Sequence, residues 1–466
     1  MQCDQMSTSY DHSNGKVIAS RYFTFVILMA NLLLLWGCQS PQLIRNQIEE
    51  CKVTTPVKPG DPCKNNSIET YTELVGSSEI RYSVSYIEFD DQGKAWEPAQ
   101  MEKLLADLKK RNDDRSKKGT IVMVFVHGWK HNAEFCDKNV ACFREMVRSA
   151  AIAESKLFGR EVVGVYVGWH GLSMKALTDL SFYSRKRGAE RVAQGEVRQL
   201  FSSLLSLQTN AVEGEGNAHR MRLMFMGHSF GGLITYEALS PNLLDYAIRS
   251  KEGVEKPNRV ADLVLLINPA FEALHYKPVY LASIPDSSVP QSEPKGDVPC
   301  PIFVSITSDN DCATKTWFPL GQRLAAQSKT LKDSEEREMA VHTIGHWDAF
   351  KTHTLESTTP QTSGSPQTKN TNEKCQCPAW HVVETSSSDG ARSFFSAKLN
   401  NGPSRTYKNT VLKPSTKNGL SKFWVVQTNP PVIDGHNDFF TTDVRDFIFL
   451  LYNDIVVNER NGTCQR

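Results

Sequence analysis

The sequence carries almost no net charge, because its 53 Lys and Arg residues are balanced by 52 Asp and Glu residues. This balance removes any whole-chain attraction for nucleic acid or for a polyacidic substrate, since such binding depends on neutralising many phosphates or carboxylates. The sequence also lacks an unbroken apolar run of the roughly 20 residues that a membrane-crossing helix needs. We therefore expect that the protein has no nucleic-acid partner and that it does not cross a membrane several times.

The remaining composition is that of an ordinary globular protein, with 40% hydrophobic and 23% charged residues over 466 residues. At roughly 150 residues per domain, this length suggests two or three domains, although single α/β domains of about 200 to 250 residues are ordinary. Such a chain can bury a large core.

An export signal is predicted at the N-terminus. Residues 22–37 form an apolar run of 16 residues preceded by Lys16 and Arg21, which is typical of a signal peptide covering residues 1–37. The run ends in Leu-Trp-Gly-Cys, which resembles the lipobox of bacterial lipoproteins and implies that Cys38 is lipidated. The protein is then expected to be exported and lipid-anchored to a membrane of the cell envelope, on its periplasmic or cell-surface side. Plain cleavage and an uncleaved anchor are the alternatives.

Eleven cysteines are many for a reduced cytosolic protein, and export permits disulfides. After removal of the signal peptide and acylation of Cys38, nine remain, so at least one stays free or pairs between chains. Cys51 with Cys63, and Cys136 with Cys142, form plausible short loops, although sequence alone does not fix the pairing.

Cys375 and Cys377 lack the C-x-x-C spacing of zinc ribbons and thioredoxin-type motifs. They are interpreted as a structural thiol or bridge. No metal site is predicted.

The chain divides by composition into a tether, an α/β domain and an insertion. Residues 38–78 are polar and predict a lipidated tether. Residues 79–353 and 421–457 alternate strand and helix patterns. Residues 354–420 form an insertion before the last strand, and its Ser/Thr/Pro/Gln-rich beginning predicts partial disorder.

Seven short runs rich in branched and aromatic residues predict strands, and the stretches between them predict helices. The predicted strands are residues 80–89, 120–126, 161–167, 221–226, 260–267, 302–307 and 422–427. The main predicted helices are residues 98–110, 185–207 and 232–248, with a last amphipathic helix through Phe447, Leu450 and Leu451. This alternation is typical of an α/β fold with an open, mostly parallel sheet flanked by helices.

Residues 269–300 form a Pro-rich connection that is too long for an ordinary βα loop and predicts a lid. Two interpretations are open for its apolar side chains: they line a site for an acyl chain, or they only pack the connection against the core. These residues are Phe271, Leu274, Tyr276, Tyr280 and Leu281.

Residues 227–231 read Gly-His-Ser-Phe-Gly, directly after a predicted strand and before a predicted helix. In that context G-x-S-x-G is a nucleophile elbow, in which small neighbours tolerate the tight turn that exposes the serine. The pattern predicts Ser229 as a nucleophile.

A His-Gly dipeptide closes the predicted strand that ends at Val126. It lets the backbone turn so that the amide of Trp129 points into the same cleft as the amide of Phe230. Two such N–H groups form an oxyanion hole for the negative charge on an attacked carbonyl oxygen. A simple strand-ending turn is the alternative interpretation.

A serine nucleophile needs a base and an orienting carboxylate. Asp309 and Asp311 follow the predicted strand 302–307, and Asp311 is the preferred acid over Asp309. For the base, His436 follows the last predicted strand and His346 lies earlier. The chain order Ser, Asp, His favours His436 and leaves His346 as the alternative.

Residues 80–453 resemble the α/β-hydrolase superfamily in their HG turn, G-H-S-x-G elbow, acid after the penultimate strand and His after the last strand. The resemblance implies Ser229 as nucleophile, His436 as general base and acid, Asp311 as orienting acid, and the amides of Trp129 and Phe230 as oxyanion donors. It implies a serine hydrolase of the carboxylesterase or lipase type, acting on a small-molecule or lipid ester without metal or organic cofactor. A peptidase or thioesterase of the same mechanism, and a catalytically silent envelope protein that binds a partner, are the alternatives.

Overall fold

The computed structural model describes most of the chain from residue 43 onward. The described residues are 43–55, 57–114, 116–171, 181–210, 221–254, 260–284, 300–358, 375, 377, 398–399, 404–415 and 421–460. The predicted signal peptide and the predicted lipidation site Cys38 lie outside these ranges, as do the Ser/Thr/Pro/Gln-rich stretch and the last part of the predicted lid.

Thirteen strands among the described residues form one sheet. They are β1 (Gln47–Lys52), β2 (Asn66–Val75), β3 (Ser78–Phe89), β4 (Thr120–Val126), β5 (Glu161–Trp169), β6 (Met221–His228), β7 (Leu263–Ile267), β8 (Phe303–Ser308), β9 (His353–Ser357), β10 (Lys398–Leu399), β11 (Arg405–Tyr407), β12 (Thr410–Pro414) and β13 (Phe423–Thr428). All seven predicted strands are present, with ends shifted by at most three residues.

The strands lie in the order β1-β2-β3-β5-β4-β6-β7-β8-β13-β9-β12-β11-β10. From β3 to β9 along this order, every neighbouring pair is parallel. Beyond this parallel centre, β2 pairs antiparallel with β3, and β12, β11 and β10 continue antiparallel from β9. The sheet is therefore mixed with a parallel centre, and the chain is of the α/β class.

Nine α-helices among the described residues accompany the sheet. They are α1 (Pro98–Asp113), α2 (Lys138–Leu157), α3 (Ser181–Gln194), α4 (Val197–Thr209), α5 (Phe230–Lys251), α6 (Ala273–Ser283), α7 (Phe318–Ala326), α8 (Ser334–Met339) and α9 (Thr442–Arg460). Within the described ranges, none of the helices has the length and apolar character needed to cross a membrane.

Strand β4 shows why helices cover both faces of the sheet. Its seven residues are all buried, and they alternate between two hydrophobic cores because successive side chains point to opposite faces. Val122 and Val124 join the core that contains α1, α4 and α5, whereas Met123 and Phe125 join the core of α2 and α9. The sheet is thus the middle layer of three, as its near-continuous apolar strands predict.

The single helix predicted over residues 185–207 is two helices, α3 and α4, divided at Gly195. The sequence pattern missed the division because its cause lies elsewhere in the chain. A Cβ atom at Gly195 would overlap the backbone of Gly93, and the Glu196 N–H donates to the Gly93 carbonyl at 2.7 Å. The Glu196 carboxylate in turn accepts from the Ala95 N–H at 2.8 Å.

The prediction of a tether over residues 38–78 is wrong for its described part. Strands β1 and β2 belong to the sheet, and Arg45 is fully buried. Its guanidinium forms an ion pair with Glu69 at 2.9 Å, and Arg144 adds a second at 2.7 Å. Burial would raise the pKa of Glu69, but the two guanidinium groups hold it at about 2. Part of the segment was misread because two of its polar side chains, Arg45 and Glu69, are paired inside the fold.

The insertion of residues 354–420 also contributes to the sheet where it is described. Strands β9 to β12 extend the sheet beyond β13, so the described parts of the insertion belong to the sheet. The predicted disordered stretch itself lies outside the described residues.

Two disulfides join this insertion to the body of the fold. Cys136 pairs with Cys375 and Cys142 with Cys377, so the predicted short loop between Cys136 and Cys142 is wrong. Cys375 and Cys377 were interpreted as a structural thiol or bridge, and the structure has both of them in bridges.

Four further cysteines lie within the described residues. The predicted pair between Cys51 and Cys63 is present. Cys300 is also disulfide-bonded, and Cys312 is the free cysteine among the described residues.

The first part of the predicted lid is the helix α6, which packs on α5. Tyr276 and Phe271 are buried, and the Phe271 ring stacks on Tyr236 with centroids 4.5 Å apart. These aromatic residues fasten the connection to the core, so they do not wall an acyl site. Leu281 is exposed, and residues 285–299 are outside the described ranges.

Candidate active site

The carboxyl ends of four parallel strands bring together the residues singled out in the sequence. His127 to Trp129 follow β4, Ser229 follows β6, Asp311 follows β8, and His436 follows β13. Since these strands lie within the parallel centre of the sheet, their following loops converge at one end of it.

Ser229 lies in a strained turn between β6 and α5. Its φ of 56° and ψ of −121° are values that non-glycine residues rarely adopt, at a cost of about 1–3 kcal/mol. Gly227 and Gly231 make the turn possible: a Cβ atom at Gly227 would lie 2.5 Å from the Gly231 carbonyl, and one at Gly231 would overlap the Val126 carbonyl. The Ser229 N–H donates to the Ile267 carbonyl at 3.1 Å, which holds the turn against β7.

His436 contacts both Ser229 and Asp311. Its Nε2 lies 2.8 Å from the Ser229 Oγ, and its Nδ1 lies 2.8 Å from the Asp311 Oδ2. Its backbone carbonyl accepts from the Nδ2 of Asn268 at 3.0 Å and from the Nε2 of His228 at 2.8 Å. The imidazole is therefore fixed through both its ring nitrogens and its own main chain.

Asp311 is fully buried and accepts several hydrogen bonds. Its Oδ1 accepts from the Ala313 N–H at 2.9 Å, and its Oδ2 accepts from the Thr314 hydroxyl at 2.6 Å and from His436. Burial would raise the pKa of Asp311, but the hydrogen bonds from His436 and Thr314 outweigh it and lower the pKa. The carboxylate is therefore ionised near neutral pH, which fixes a proton on His436 Nδ1 and leaves Nε2 free to accept one.

The alternative acid, Asp309, is turned away from His436. Its carboxylate accepts a hydrogen bond from Gln427, and its N–H donates to the Thr428 carbonyl at 2.8 Å. These contacts tie the end of β8 to β13.

The alternative base, His346, contacts neither Ser229 nor the Asp311 carboxylate in any hydrogen bond found among the described residues. Its Nε2 lies 3.0 Å from the Thr314 hydroxyl. Burial lowers the pKa of His346 to about 4, so the ring is neutral near pH 7. His346 therefore contacts Thr314, which in turn contacts Asp311.

The backbone at Gly128 approaches the serine closely. A Cβ atom there would lie 2.9 Å from the Ser229 Cβ and 2.8 Å from the His228 Nδ1. His127, which precedes it, is buried and accepts the Trp169 N–H at 3.1 Å. The turn that carries the Trp129 amide is therefore packed directly on the turn that carries the Phe230 amide.

His228 lies beneath His436, with ring centroids 4.9 Å apart. Burial lowers its pKa well below the usual value, so it is neutral near pH 7. A neutral ring with its proton on Nε2 donates to the His436 carbonyl. It supports His436 without placing a second positive charge beside it.

Sequence reasoning missed Asn268 and Thr314. Asn268 adopts a φ of 44°, accepts the Ser308 N–H at 2.9 Å, and donates to the carbonyls of Gly435 and His436. Its place at the carboxyl end of a strand, before a proline, was the available signal. Thr314 stands three residues after Asp311, at the spacing from which a hydroxyl can reach back.

Among the described residues, no group of three or more His, Cys, Asp or Glu side chains is arranged to hold a metal ion.

Comparisons with known proteins found little. No family model matches the chain, and no curated protein matches it. Among solved structures, the chain is similar to the phospholipase PlaB from Legionella pneumophila in complex with thio-NAD, with 12% sequence identity and a TM-score of 0.28. The match covers 74% of this chain and 62% of that one, so the chain spans less than two thirds of that phospholipase. Likeness at this TM-score carries no argument about fold or activity.

Proposed function

We propose that the protein is a serine hydrolase that cleaves carboxylic esters through an acyl-enzyme on Ser229. The observation that carries the proposal is the placement of His436, whose two ring nitrogens lie 2.8 Å from the Ser229 Oγ and 2.8 Å from the Asp311 Oδ2. Structural packing alone has no need of a serine in a strained turn with an imidazole at hydrogen-bond distance.

In this mechanism His436 Nε2 takes the proton of the Ser229 hydroxyl while Oγ attacks the ester carbonyl carbon. Asp311 stabilises the imidazolium that forms and keeps its ring oriented. The tetrahedral intermediate collapses when His436 returns the proton to the leaving alcohol. Water then attacks the acyl-enzyme while the same Nε2 takes its proton. His436 returns this proton to the Ser229 Oγ as the carboxylic acid is released.

The amides of Trp129 and Phe230 are the proposed donors to the developing oxyanion. The close approach of Gly128 to Ser229 supports this role, because it brings the end of β4 against the nucleophile. The amide of Phe230 belongs to the first turn of α5, whose N-terminal N–H groups favour negative charge. Each donor of this kind typically contributes about 3–4 kcal/mol to transition-state binding.

We also propose that the fold is that of the α/β-hydrolases. The elbow between β6 and α5, the acid after β8 and the histidine after β13 support this assignment, because they follow the chain order of that superfamily. The preference for an ester over an amide rests on analogy with the superfamily.

Export and lipidation of Cys38 remain part of the proposal. The disulfides Cys51–Cys63, Cys136–Cys375 and Cys142–Cys377 support export, because such bonds persist in oxidising compartments.

A fluorophosphonate probe tests the proposed function. We expect stoichiometric labelling of the full chain, loss of labelling in Ser229→Ala, and unchanged labelling in the matched control Ser240→Ala on the same helix α5. Absence of labelling in the folded wild-type protein, or labelling that survives in Ser229→Ala, contradicts the proposal and favours a silent binding protein. A panel of ester, thioester and peptide substrates then separates the activities that share this mechanism.

A further inference from the structure

A basic and apolar surface segment begins directly after Asp311. Residues 312–332 contain Lys315, Arg323, Lys329 and Lys332 but no acidic residue. In the same segment Trp317 is 67% exposed and Leu320 is 50% exposed. We call the exposed residues Lys315, Trp317, Leu320 and Arg323 the Trp317 face.

The Trp317 face is the solvent-facing side of a helical segment whose opposite side is buried. A short π-helix (Ala313–Trp317) leads into α7, whose Phe318, Gln322 and Ala326 are buried. The exposed residues therefore cannot turn inward without unpacking the segment. Large apolar side chains presented side by side to solvent are unusual in a soluble protein and typically mark a contact surface.

The segment that carries the Trp317 face packs toward the candidate active site from its buried side, through Phe318. The Phe182 ring lies 6.2 Å from the ring of Phe318, next to Trp317 in the chain. The same ring lies 5.7 Å from Trp129 and 4.9 Å from Phe230, the two residues with the proposed oxyanion amides. The Trp317 face thus lies at the same end of the sheet as Ser229.

The described chain also begins at that end of the sheet. The N–H groups of Ile44 and Arg45 donate to the Glu88 carboxylate at 3.2 and 2.7 Å, and the Arg45 Nε donates to the Ala133 carbonyl at 2.7 Å. Glu88 is near the carboxyl end of β3, and Ala133 follows β4. Cys38, the proposed lipid attachment site, lies six positions before Ile44 in the sequence.

We propose that the Trp317 face docks on the surface of an anionic phospholipid bilayer and so presents Ser229 to acyl esters of membrane lipids. Tryptophan and leucine insert among headgroups and upper acyl chains, and lysine and arginine bind the phosphates. The charge of the face suits this partner, since its two charged residues, Lys315 and Arg323, are both cations. The inference deepens the proposed function and rests on it for the substrate class.

Fluorescence quenching tests the docking directly. The full chain is mixed with vesicles of phosphatidylglycerol and phosphatidylcholine whose acyl chains are brominated, and its emission is compared with that of Trp317→Phe. We expect quenching in the wild-type protein and loss of most of it in Trp317→Phe. Quenching should also weaken with vesicles of phosphatidylcholine alone, and in the double variant Lys315→Gln, Arg323→Gln. Equal quenching of wild type and Trp317→Phe overturns the proposal.

Rates on two substrates complete the test. In Trp317→Ala, Leu320→Ala we expect hydrolysis of vesicle phospholipid to fall about tenfold, as loss of about 1.4 kcal/mol of surface binding predicts, while hydrolysis of a soluble p-nitrophenyl ester stays at the wild-type rate. The matched control is Leu74→Ala, which removes a 77% exposed leucine beside Glu79, at the opposite end of the sheet, and should change neither rate.

Three outcomes separate the possibilities. Wild-type rates on vesicles in the double alanine variant overturn the docking proposal. A wild-type dimer in sedimentation that becomes monomeric in this variant also overturns it, because a second copy then covers the face. Failure of the wild-type protein to hydrolyse any ester refutes the proposed function, while quenching of Trp317 still reports the docking.

Discussion

The hydroxyl of Thr314 donates a hydrogen bond to the Oδ2 of Asp311 at 2.6 Å. The same carboxylate oxygen accepts from His436 Nδ1, so the two donors hold it from two sides. Because the Thr314 proton is committed to Asp311, the hydroxyl oxygen accepts from His346 Nε2 at 3.0 Å. A line of hydrogen bonds therefore runs from His346 to Ser229.

Thr314→Val should reduce kcat for a soluble ester about tenfold, with little change in KM. The substitution keeps the shape of the side chain but removes a hydrogen bond to a charged group, which is typically worth about 1.5–3 kcal/mol. Thr314→Ser retains the hydroxyl and should stay close to wild type. Steady-state kinetics with thermal unfolding as a fold control measures both, and equal rates in the valine and serine variants would refute the role of the hydroxyl.

His436→Ala should be as inactive as Ser229→Ala, whereas His346→Ala should keep a measurable rate. Of these two histidines, His436 lies at hydrogen-bond distance from Ser229, whereas His346 contacts Thr314. Fluorophosphonate labelling rates of the two variants give the comparison. An inactive His346→Ala beside an active His436→Ala would reverse the assignment.

Asp311→Asn should lower kcat by about 10⁴, because an amide at this position favours the wrong tautomer of the histidine. Asp309→Asn is the matched control and should stay near the wild-type rate, since its partner Gln427 can still donate to an amide oxygen. Kinetics of both variants at pH 7 check the prediction. Similar losses in the two variants would contradict the choice of Asp311.

Gly128→Ala should lower kcat by about 10²–10³ through displacement of the proposed oxyanion turn. The new methyl group would lie 2.9 Å from the Ser229 Cβ and 2.8 Å from the His228 Nδ1, so the turn must move. Gly60→Ala, at an open position with no atom within 4 Å, is the control. If Gly128→Ala hydrolyses esters at the control's rate, the turn has no part in the reaction.

The free energy of unfolding should fall as the pH drops from about 6.5 to 4. Burial lowers the pKa of His127 and of His353 to about 4, from 6.5. The unfolded chain then binds protons that the folded chain does not, so stability rises with pH in this window. A pKa difference of this size corresponds to about 3 kcal/mol per histidine. Urea unfolding at pH 7, 6, 5 and 4 measures the slope, which His353→Gln should reduce; a flat profile contradicts the prediction.

The central strands of the sheet were predictable because each is a short apolar run that can be recognised from its own residues. Strand β4 reads as a continuous apolar run, and the structure has it at the predicted residues. Strand β1 was missed, because its sequence QIEECK is mostly polar and mostly solvent-facing. It pairs with β2, and Arg45, which lies just before β1, forms an ion pair with Glu69 of β2. No local sequence pattern encodes contacts between residues so far apart.

The same distinction applies to the site. Ser229 was predicted from a short motif and His436 from the chain order Ser, Asp, His, and the structure brings the two side chains together. Thr314 and Asn268 carry no motif, because their importance comes from what they contact. The pairing of Cys136 with Cys375 could not be read either, since the two are separated by 239 positions and several combinations are chemically equivalent.

Strand β13, which leads to His436, has a hydrogen-bonded neighbour on each side, β8 and β9. Without the insertion that supplies β9, the chain would still contain Ser229, Asp311 and His436. However, β13 would then expose unpaired backbone amides and carbonyls along one side. Such a row recruits strands from other molecules. The segment between Asp311 and His436 that supplies β9 thus covers part of the flank of β13. We expect its deletion to cause aggregation, although Ser229, Asp311 and His436 would all remain in the chain.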